Sequence, residues 1–268
     1  MQNDIVKCGL REQNNNQFVD TIEKEAYVWC EKDWKHDEQE HAHQRAQLTF
    51  VEEGYQYFHI DKKIYLVPRH HVIWIPSGKP HRITSEAKTV SLMVFLFKNV
   101  FNDDFYRNVH VFAVPPVLKE MILYASKWNQ LVKEDEEQDL FFKAILKSLP
   151  NFCRENSPLE IPVPSDIRLI PVCTSINSNF KYSLNADELA EKARMSVRSL
   201  QRIFKNETGI TLQKYLQLVR ILKSIELIDT GRYTLSEIAY QVGYQSLSAF
   251  TASYQSVMKT KPKVKRIT

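Results

Sequence analysis

The rhythm of apolar and polar positions changes twice along this chain. From about residue 18 to residue 100 apolar side chains alternate or come in short runs: Gln47–Val51, Tyr55–Ile60, Val72–Ile75 and Thr89–Phe97. Gly54, Pro68, Pro76, Gly78 and Pro80 fall between them. Many short strands broken by turn residues at this spacing predict a small β-barrel or sandwich. A helical rhythm follows. One helix is predicted over Pro116–Trp128, and another opens at Glu134-Asp-Glu-Glu before Leu140-Phe-Phe-Lys-Ala-Ile-Leu. Carboxylates in a first turn complement the helix dipole. The segment Ser157-Pro-Leu-Glu-Ile-Pro-Val-Pro164 cannot be helical and reads as an extended, semi-rigid linker. The predicted domains are residues 1–155, a Pro-rich linker over 156–165, and residues 166–268.

The last of these carries one pattern twice, about fifty residues apart. Asn185 falls on Thr234, Glu188 on Glu237, and Leu189-Ala190 on Ile238-Ala239. With one extra turn residue in the second copy, Leu200 falls on Phe250 and Phe204 on Tyr254. Each copy reads as a helix-turn-helix. Asn185…Glu188 and Thr234…Glu237 are predicted capping boxes. Leu189, Ala190, Ala193 and Ile238, Ala239, Val242 face inward, the small alanines permitting close helix approach. Gly243 suits a left-handed turn; its counterpart Arg194 predicts a turn that is less relaxed or of different shape. Between the copies, Leu212, Tyr215, Leu216, Val219, Leu222 and Ile225 keep helical spacing across Thr211–Asp229. Such a helix, about 28 Å long, can hold two readers roughly one DNA turn apart.

Ser196 and Ser246 are the predicted caps of the two recognition helices. In the first, Leu200, Ile203 and Phe204 make the buried stripe. Arg198, Gln201, Arg202 and Lys205 share one outward face, beside Ser199. Arg pairs with guanine and Gln with adenine in the major groove, so this face is equipped for base readout. In the second, the outward positions are Ser248, Ala249, Thr251 and Ala252, with no long donor. The first unit is therefore expected to supply most base specificity. The second, with Gln245, Ser246, Ser248 and Thr251, is expected to contribute phosphate and methyl contacts. The tail Lys259, Lys261, Lys263, Lys265 and Arg266 would add sequence-blind attraction to the DNA backbone.

Charge sharpens this division. Residues 166–268 carry 16 Lys+Arg against 8 Asp+Glu, whereas residues 1–165 carry 20 against 24. Only the C-terminal part suits a polyanion. Charge alone would fit an ordinary basic surface; charge together with the repeat points to DNA. The four cysteines, Cys8, Cys30, Cys153 and Cys173, are scattered without a Cys-x-x-Cys pair, which fits reduced thiols in a cytoplasmic protein. Met1 to Leu10 lacks the apolar stretch of a secretory signal, and no apolar run approaches membrane-spanning length.

With these residues assembled, the C-terminal part resembles the DNA-binding domain of AraC/XylS-type bacterial transcription regulators. The likeness rests on Leu189-Ala190, the run Met195 to Lys205, Glu207-Thr208-Gly209, and Ile238-Ala239 with Val242-Gly243-Tyr244. It implies seven helices binding two adjacent major-groove segments of promoter DNA. The chain departs from the family pattern at Ala252, where a basic residue is usual, and near Lys259, where a Gly is usual.

Two motifs mark the first domain. His41-Ala-His43, Gln47 and Gly54 follow the spacing His-x-His-x3-Glu-x6-Gly, with Gln in place of Glu. Pro76-Ser-Gly78-Lys-Pro-His81 follows Pro-x-Gly-x2-His. These resemble the motifs of cupins, barrels in which three His and one Glu hold a divalent metal. They also look like the sensor domain of many AraC-type regulators, where an organic effector occupies the pocket. His41, His43, Gln47 and His81 are thus candidate metal ligands, and three imidazoles with an amide oxygen would suit Zn²⁺, Ni²⁺ or Fe²⁺. Gln47, Trp74 and His81 are candidate effector contacts. Alternatively the histidines are hydrogen-bonded fixtures of a barrel wall. His70-His71 is expected at the surface. The helices at 116–128 and 137–153 resemble in position those through which such sensor domains dimerise.

The expected fold class is α+β: a cupin-like β-barrel with flanking helices, then an all-α DNA-binding domain of two helix-turn-helix units joined by a long helix. The expected function is a sequence-specific DNA-binding transcription regulator, an activator by family resemblance, controlled by a small effector in the barrel. It would require no cofactor, and its partners would be double-stranded promoter DNA, RNA polymerase and a second copy of itself, with no membrane. Two other readings stay open: a metal-dependent cupin enzyme fused to a DNA-binding module, and a regulator without ligand.

Overall fold

The alternating segments of the first half fold as strands, and the helical rhythm resumes where predicted. The computed structural model describes residues 18–34, 37–131, 133, 135–153 and 159–264. Cys8 and Met1 to Leu10, Glu134, Ser157-Pro158, and the tail residues Lys265 and Arg266 lie outside the described residues. In chain order come α1 (Phe18–Thr21), β1 (Ala26–Glu31), β2 (Asp37–His41), β3 (Ala46–Glu53), β4 (Tyr55–Ile60) and β5 (Lys63–Pro68). Next are β6 (His71–Ile75), β7 (His81–Thr84), β8 (Ser91–Phe97), β9 (His110–Ala113), α2 (Pro116–Tyr124), α3 (Glu136–Phe152) and β10 (Glu160–Pro162). A 3₁₀ turn, Ala125–Trp128, extends α2 to the predicted end.

Two compact units result. One holds the described residues up to Asp61 and from Leu66 to Cys153; the other holds Lys62–Tyr65 and the described residues from Leu159 onward. The strands form two five-stranded sheets, ordered β1-β8-β3-β6-β9 and β10-β5-β4-β7-β2. The first sheet buries both its faces. Successive side chains of a strand point to opposite sides, so β1, β3 and β8 are divided between two cores. Val28, Leu48, Phe50, Trp74, Phe95 and Phe97 pack with Leu118 and Ile122 of α2 and Phe142, Ile145 and Leu149 of α3. Tyr27, Trp29, Leu92, Val94 and Leu96 pack on the other side with Val19 and Ile22.

The Pro-rich segment is extended as expected, yet it is not a free spacer. Glu160, Ile161 and Pro162 pair antiparallel with Tyr65, Ile64 and Lys63, and Lys63 Nζ meets Glu160 at 2.9 Å.

The second unit is helical: α4 (Ile170–Ser178), α5 (Ala186–Lys192), α6 (Val197–Thr208), α7 (Leu212–Asp229), α8 (Leu235–Gln241) and α9 (Leu247–Met258). Six α-helices are thus described where seven helices were expected; the 3₁₀ turn Ile167–Leu169 runs straight into α4. Each helix of the repeat starts on a polar cap: Asn185, Ser196, Thr234 and Ser246 accept from backbone N–H groups one to three residues inside their helices. Thr234 and Glu237 form the full reciprocal box, Thr234 N donating to Glu237 Oε2 at 2.7 Å. The first unit departs from the expected box. Asn185 has an amide to offer, and Glu188 accepts from that side chain at 2.8 Å rather than from the backbone.

Of the two alternatives for the first turn, the structure shows the same shape in a less relaxed form. Arg194 (φ +54°) and Gly243 (φ +89°) are both left-handed. Arg194 N donates to Glu191 O and Met195 N to Ala190 O; Gly243 N and Tyr244 N repeat this onto Tyr240 O and Ala239 O. The turn therefore keeps its shape without glycine, at a local cost of about 1–2 kcal/mol. Arg194 tolerates it because its side chain is exposed. Gly243 has no such freedom: a Cβ there would lie 2.3 Å from the Lys181 carbonyl oxygen and 2.8 Å from Arg220 Nη2. Arg220 cannot yield easily, since its Nε donates to Phe180 O at 2.7 Å.

Gly209, also left-handed at φ +75°, has nothing within 4 Å of its would-be Cβ. Gly209→Ala should therefore cost only the backbone strain, about 1 kcal/mol. Gly243→Ala should cost about 3 kcal/mol or more, at the upper end of ordinary substitutions. Chemical denaturation of the two variants tests this, and equal losses would show that the Lys181 contact relaxes freely.

Candidate functional site

Helix α6 brings together the donors singled out in the sequence. Leu200 and Phe204 are fully buried and Ile203 half-buried, with the Phe204 ring edge-on to Tyr215 at 5.5 Å. That anchoring leaves Arg198, Gln201, Arg202 and Lys205 exposed on the opposite face. Among the described residues, none of these four side chains is engaged by an ion pair or a hydrogen bond within the protein. Ser196 is exposed at the cap, with Ser199 half-buried beside it at 3.0 Å between hydroxyls.

The face of α9 is chemically different. Ser248, Ala249 and Ala252 are exposed and Thr251 is half-buried, while Phe250 and Tyr254 anchor the helix. Gln245 is exposed ahead of the helix, and Ser246 caps it, its hydroxyl 3.1 Å from that of Ser248. Lys261 and Lys263 are exposed beyond it. Lys259 takes the left-handed conformation (φ +59°) that ends α9, the position at which the family pattern favours glycine.

In the first unit, His41 closes β2, His81 opens β7, and the two are register partners. His43 lies in the following turn, its carbonyl accepting from Gly78 N at 2.8 Å. All three histidines are buried, and one ring nitrogen from each lies within 4.8 Å of the others. Each Nδ1 faces a backbone carbonyl two residues away: Gln39 O at 3.3 Å, Arg45 O at 2.7 Å and Lys79 O at 2.9 Å. A carbonyl can only accept, so each Nδ1 carries a proton, and in a neutral ring such as that of His81 the Nε2 keeps a lone pair. Burial holds His81 down to about 3, with the neighbouring His41 adding to the effect. Burial also lowers His43, against the raising influence of its bonds to Gln47 and Arg45. His43 and His81 are thus neutral at physiological pH.

Gln47 joins it, with Oε1 3.0 Å from His43 Nε2 while its Nε2 donates to Thr49 Oγ1 at 2.7 Å. With the amide turned over, its nitrogen would donate to His43 Nε2 and its oxygen would accept from the Thr49 hydroxyl. His81 Nε2 has no partner. This donor set fits a divalent transition metal.

Trp74, predicted beside Gln47 and His81, is elsewhere. It pairs with Leu48 rather than with Gln47 and lies in the core that faces α2 and α3, its Nε1 donating to Tyr106 O at 3.3 Å. The alternation of the sheet puts it on the wrong side. His71, expected at the surface, is half-buried, and burial lowers it to about 4.

Residues that the sequence reading passed over complete the site. Trp29, Glu31, Thr49 and Gln56 line a chamber of about 20 Å³ with His41 and Gln47. Gln56 is fully buried, and neither of its amide atoms has a partner; Trp29 Nε1 has none either. Unmade bonds of this kind cost about 1–3 kcal/mol each. Polar residues alternating with apolar ones in β3, Gln47 and Thr49 against Leu48 and Phe50, were the available signal.

The comparisons agree with this layout. The family profile described as "AraC-like ligand binding domain" matches residues 23–157, and the one described as "Helix-turn-helix domain" matches residues 189–266. The HTH-type transcriptional regulator NimR of Escherichia coli strain K12 is 22% identical over 227 residues, 83% of this chain and 80% of its own length. The HTH-type transcriptional activator RhaS of Escherichia coli strain SMS-3-5 is 27% identical over 138 residues, half of each chain. The chain thus spans about half the length of RhaS. Among solved structures, ToxT from Vibrio cholerae is 16% identical with a TM-score of 0.36, covering 89% of this chain and 97% of its own. With an AraC-like ligand-binding profile matching half its length and a helix-turn-helix profile matching residues 189–266, this chain belongs to the AraC family of transcription regulators.

Proposed function

We propose that the second unit binds promoter DNA through α6 and α9, with α6 as the principal base reader. The observation that carries this is the exposed set Arg198, Gln201, Arg202 and Lys205, uncommitted within the protein and backed by the buried Leu200 and Phe204. Arginine and glutamine offer paired donors suited to guanine and adenine edges. The face of α9 offers hydroxyls and methyls instead, so Gln245, Ser246, Ser248 and Thr251 serve phosphate and thymine-methyl contacts. Ser196 and Ser199 at the start of α6, together with Lys261 and Lys263, hold the DNA backbone.

On this reading residues 166–268 are the DNA-binding domain, residues 1–155 the sensor, and 156–165 the linker. The protein works in the cytoplasm as a regulator rather than an enzyme, and its sign follows RhaS, whose name records an activator. Activation brings RNA polymerase as a partner. Val117 and Tyr124 of α2 and Leu140 of α3 are exposed, and they support a homodimer formed through these helices.

Two outcomes test the proposed division of labour, measured by fluorescence anisotropy of the full chain on its operator. Arg202→Ala should weaken binding by about 1–3 kcal/mol and relax preference at one base position, whereas Ser248→Ala should cost little. Equal losses would remove the asymmetry between the helices. Lys261→Ala should weaken binding to all sequences alike and reduce the salt slope by about one; an unchanged slope would take Lys261 off the phosphate backbone.

A further inference from the structure

Away from the histidines, a cleft opens in the first unit between α3 and the paired ends of β1 and β8. Ala26 and Phe97, register partners at those ends, make its apolar floor with Leu146 of α3, and all three are buried. Val100, just after β8, and Leu140 of α3 also line it, yet they are 40% and 64% exposed. The cleft thus offers apolar surface that the protein itself leaves uncovered.

Its volume, about 570 Å³, falls within the roughly 300–1,000 Å³ of small-molecule sites. The chamber beside His41 holds about 20 Å³, space for about one water. An organic guest is therefore accommodated at α3 rather than beside the histidines.

Charge decides which kind of guest. Glu25, Asp135, Glu136 and Asp139 line the cleft against Lys143, four carboxylates to one amine. Part of this acidity has a local explanation. Carboxylates in the first turn of α3 complement the helix dipole, and Asp135 Oδ1 caps the helix by accepting from Gln138 N at 2.8 Å. Neither accounts for Glu25, which lies ahead of β1 and is held by Asn99, whose Nδ2 donates to its Oε2 at 2.8 Å. Nor do they account for Asp139. Its Oδ1 is enclosed and has no hydrogen-bond partner among the described residues, a costly state for a carboxylate oxygen. An anion would meet net negative charge here, and a wholly apolar guest would leave that oxygen unmet.

We propose that this cleft binds a protonated amine carried on an apolar body. The ammonium donates to Asp139, a charge-assisted bond of the strong kind, with Glu25 adding to the attraction. The apolar body lies over Phe97 and Leu146 and covers Val100 and Leu140. A quaternary ammonium has no N–H for Asp139 Oδ1 and fits less well. This inference rests on the first unit alone and stands apart from the DNA reading.

The test uses the full chain with labelled Val and Leu methyl groups and probes of one shape, phenylbutylamine, phenylbutanol and phenylbutyrate, titrated at neutral pH by NMR. The amine should bind saturably, one per chain and at least about tenfold tighter than the alcohol, and the acid should not bind. Ring protons of the bound amine should show NOEs to the methyls of Val100, Leu140 and Leu146. Asp139→Asn keeps the side-chain shape and should weaken the amine about tenfold while leaving the alcohol unchanged. Glu120→Gln, at an exposed position of α2 outside the cleft, should change neither. Should Asp139→Asn fail to fold, the preference for amine over alcohol and the NOEs of the unaltered protein decide the matter. No saturable binding of the amine, equal binding of the alcohol or the acid, NOEs to other methyls alone, or unchanged amine affinity in Asp139→Asn would overturn the proposal. DNA binding and oligomeric state of the same samples are scored separately, so failure of this site leaves those readings untouched.

Discussion

The sheet β1-β8-β3-β6-β9 must bury both of its faces, and most of what the first unit can do follows from that requirement. Its strands present one row of side chains to α2 and α3 and the other row to the interior. A one-residue shift in any strand would exchange the rows. The helix-facing row is mainly apolar and packs against α2 and α3. The inner row mixes Trp29, Leu92 and Val94 with Glu31, Gln47 and Thr49. Polar groups are tolerated there only because they bond one another or face the chamber. The histidine cluster exists because β2 and β7, carrying His41 and His81, pair opposite this inner row.

The helical unit obeys a different constraint: each recognition helix needs a buried stripe so that its opposite face is free. In α6 that stripe is Leu200, Ile203 and Phe204, and in α9 it is Phe250 and Tyr254. The turns ahead of these helices are built alike, although one uses Arg194 and the other Gly243. The difference lies in the neighbours. The second turn is pressed against the carbonyls at 180–182 that Arg220 gathers, and there only glycine fits. Both turns position a serine cap, so a conserved geometry carries two unlike chemical faces.

Much of this was legible in the chain. The repeat, its caps, the long helix α7 and the donor face of α6 followed from spacing and residue type, because a helix fixes its own periodicity. The spacing of His41, His43 and His81 likewise announced a cluster. Two readings were revised for reasons that share a cause. Trp74 was placed with Gln47, yet its register partner is Leu48. His71 was expected at the surface, yet it is half-buried. The Pro-rich stretch is extended as read, and Glu160–Pro162 also finds a strand to pair with. Each depends on a partner distant in sequence, which local pattern does not name.

By itself, the sequence determined what each segment is: strand or helix, its caps, its apolar stripe, the excess of positive charge in the helical part, and the residue types able to read DNA. These are consequences of local backbone preference and of periodicity, which act over a few residues. Only the tertiary structure decided which side chains meet. It put Gln56 and Trp29 in one chamber of about 20 Å³ with His41 and Gln47, and sent Trp74 to the opposite face. Strand register and the closeness of packing set these outcomes, and both arise between segments far apart along the chain.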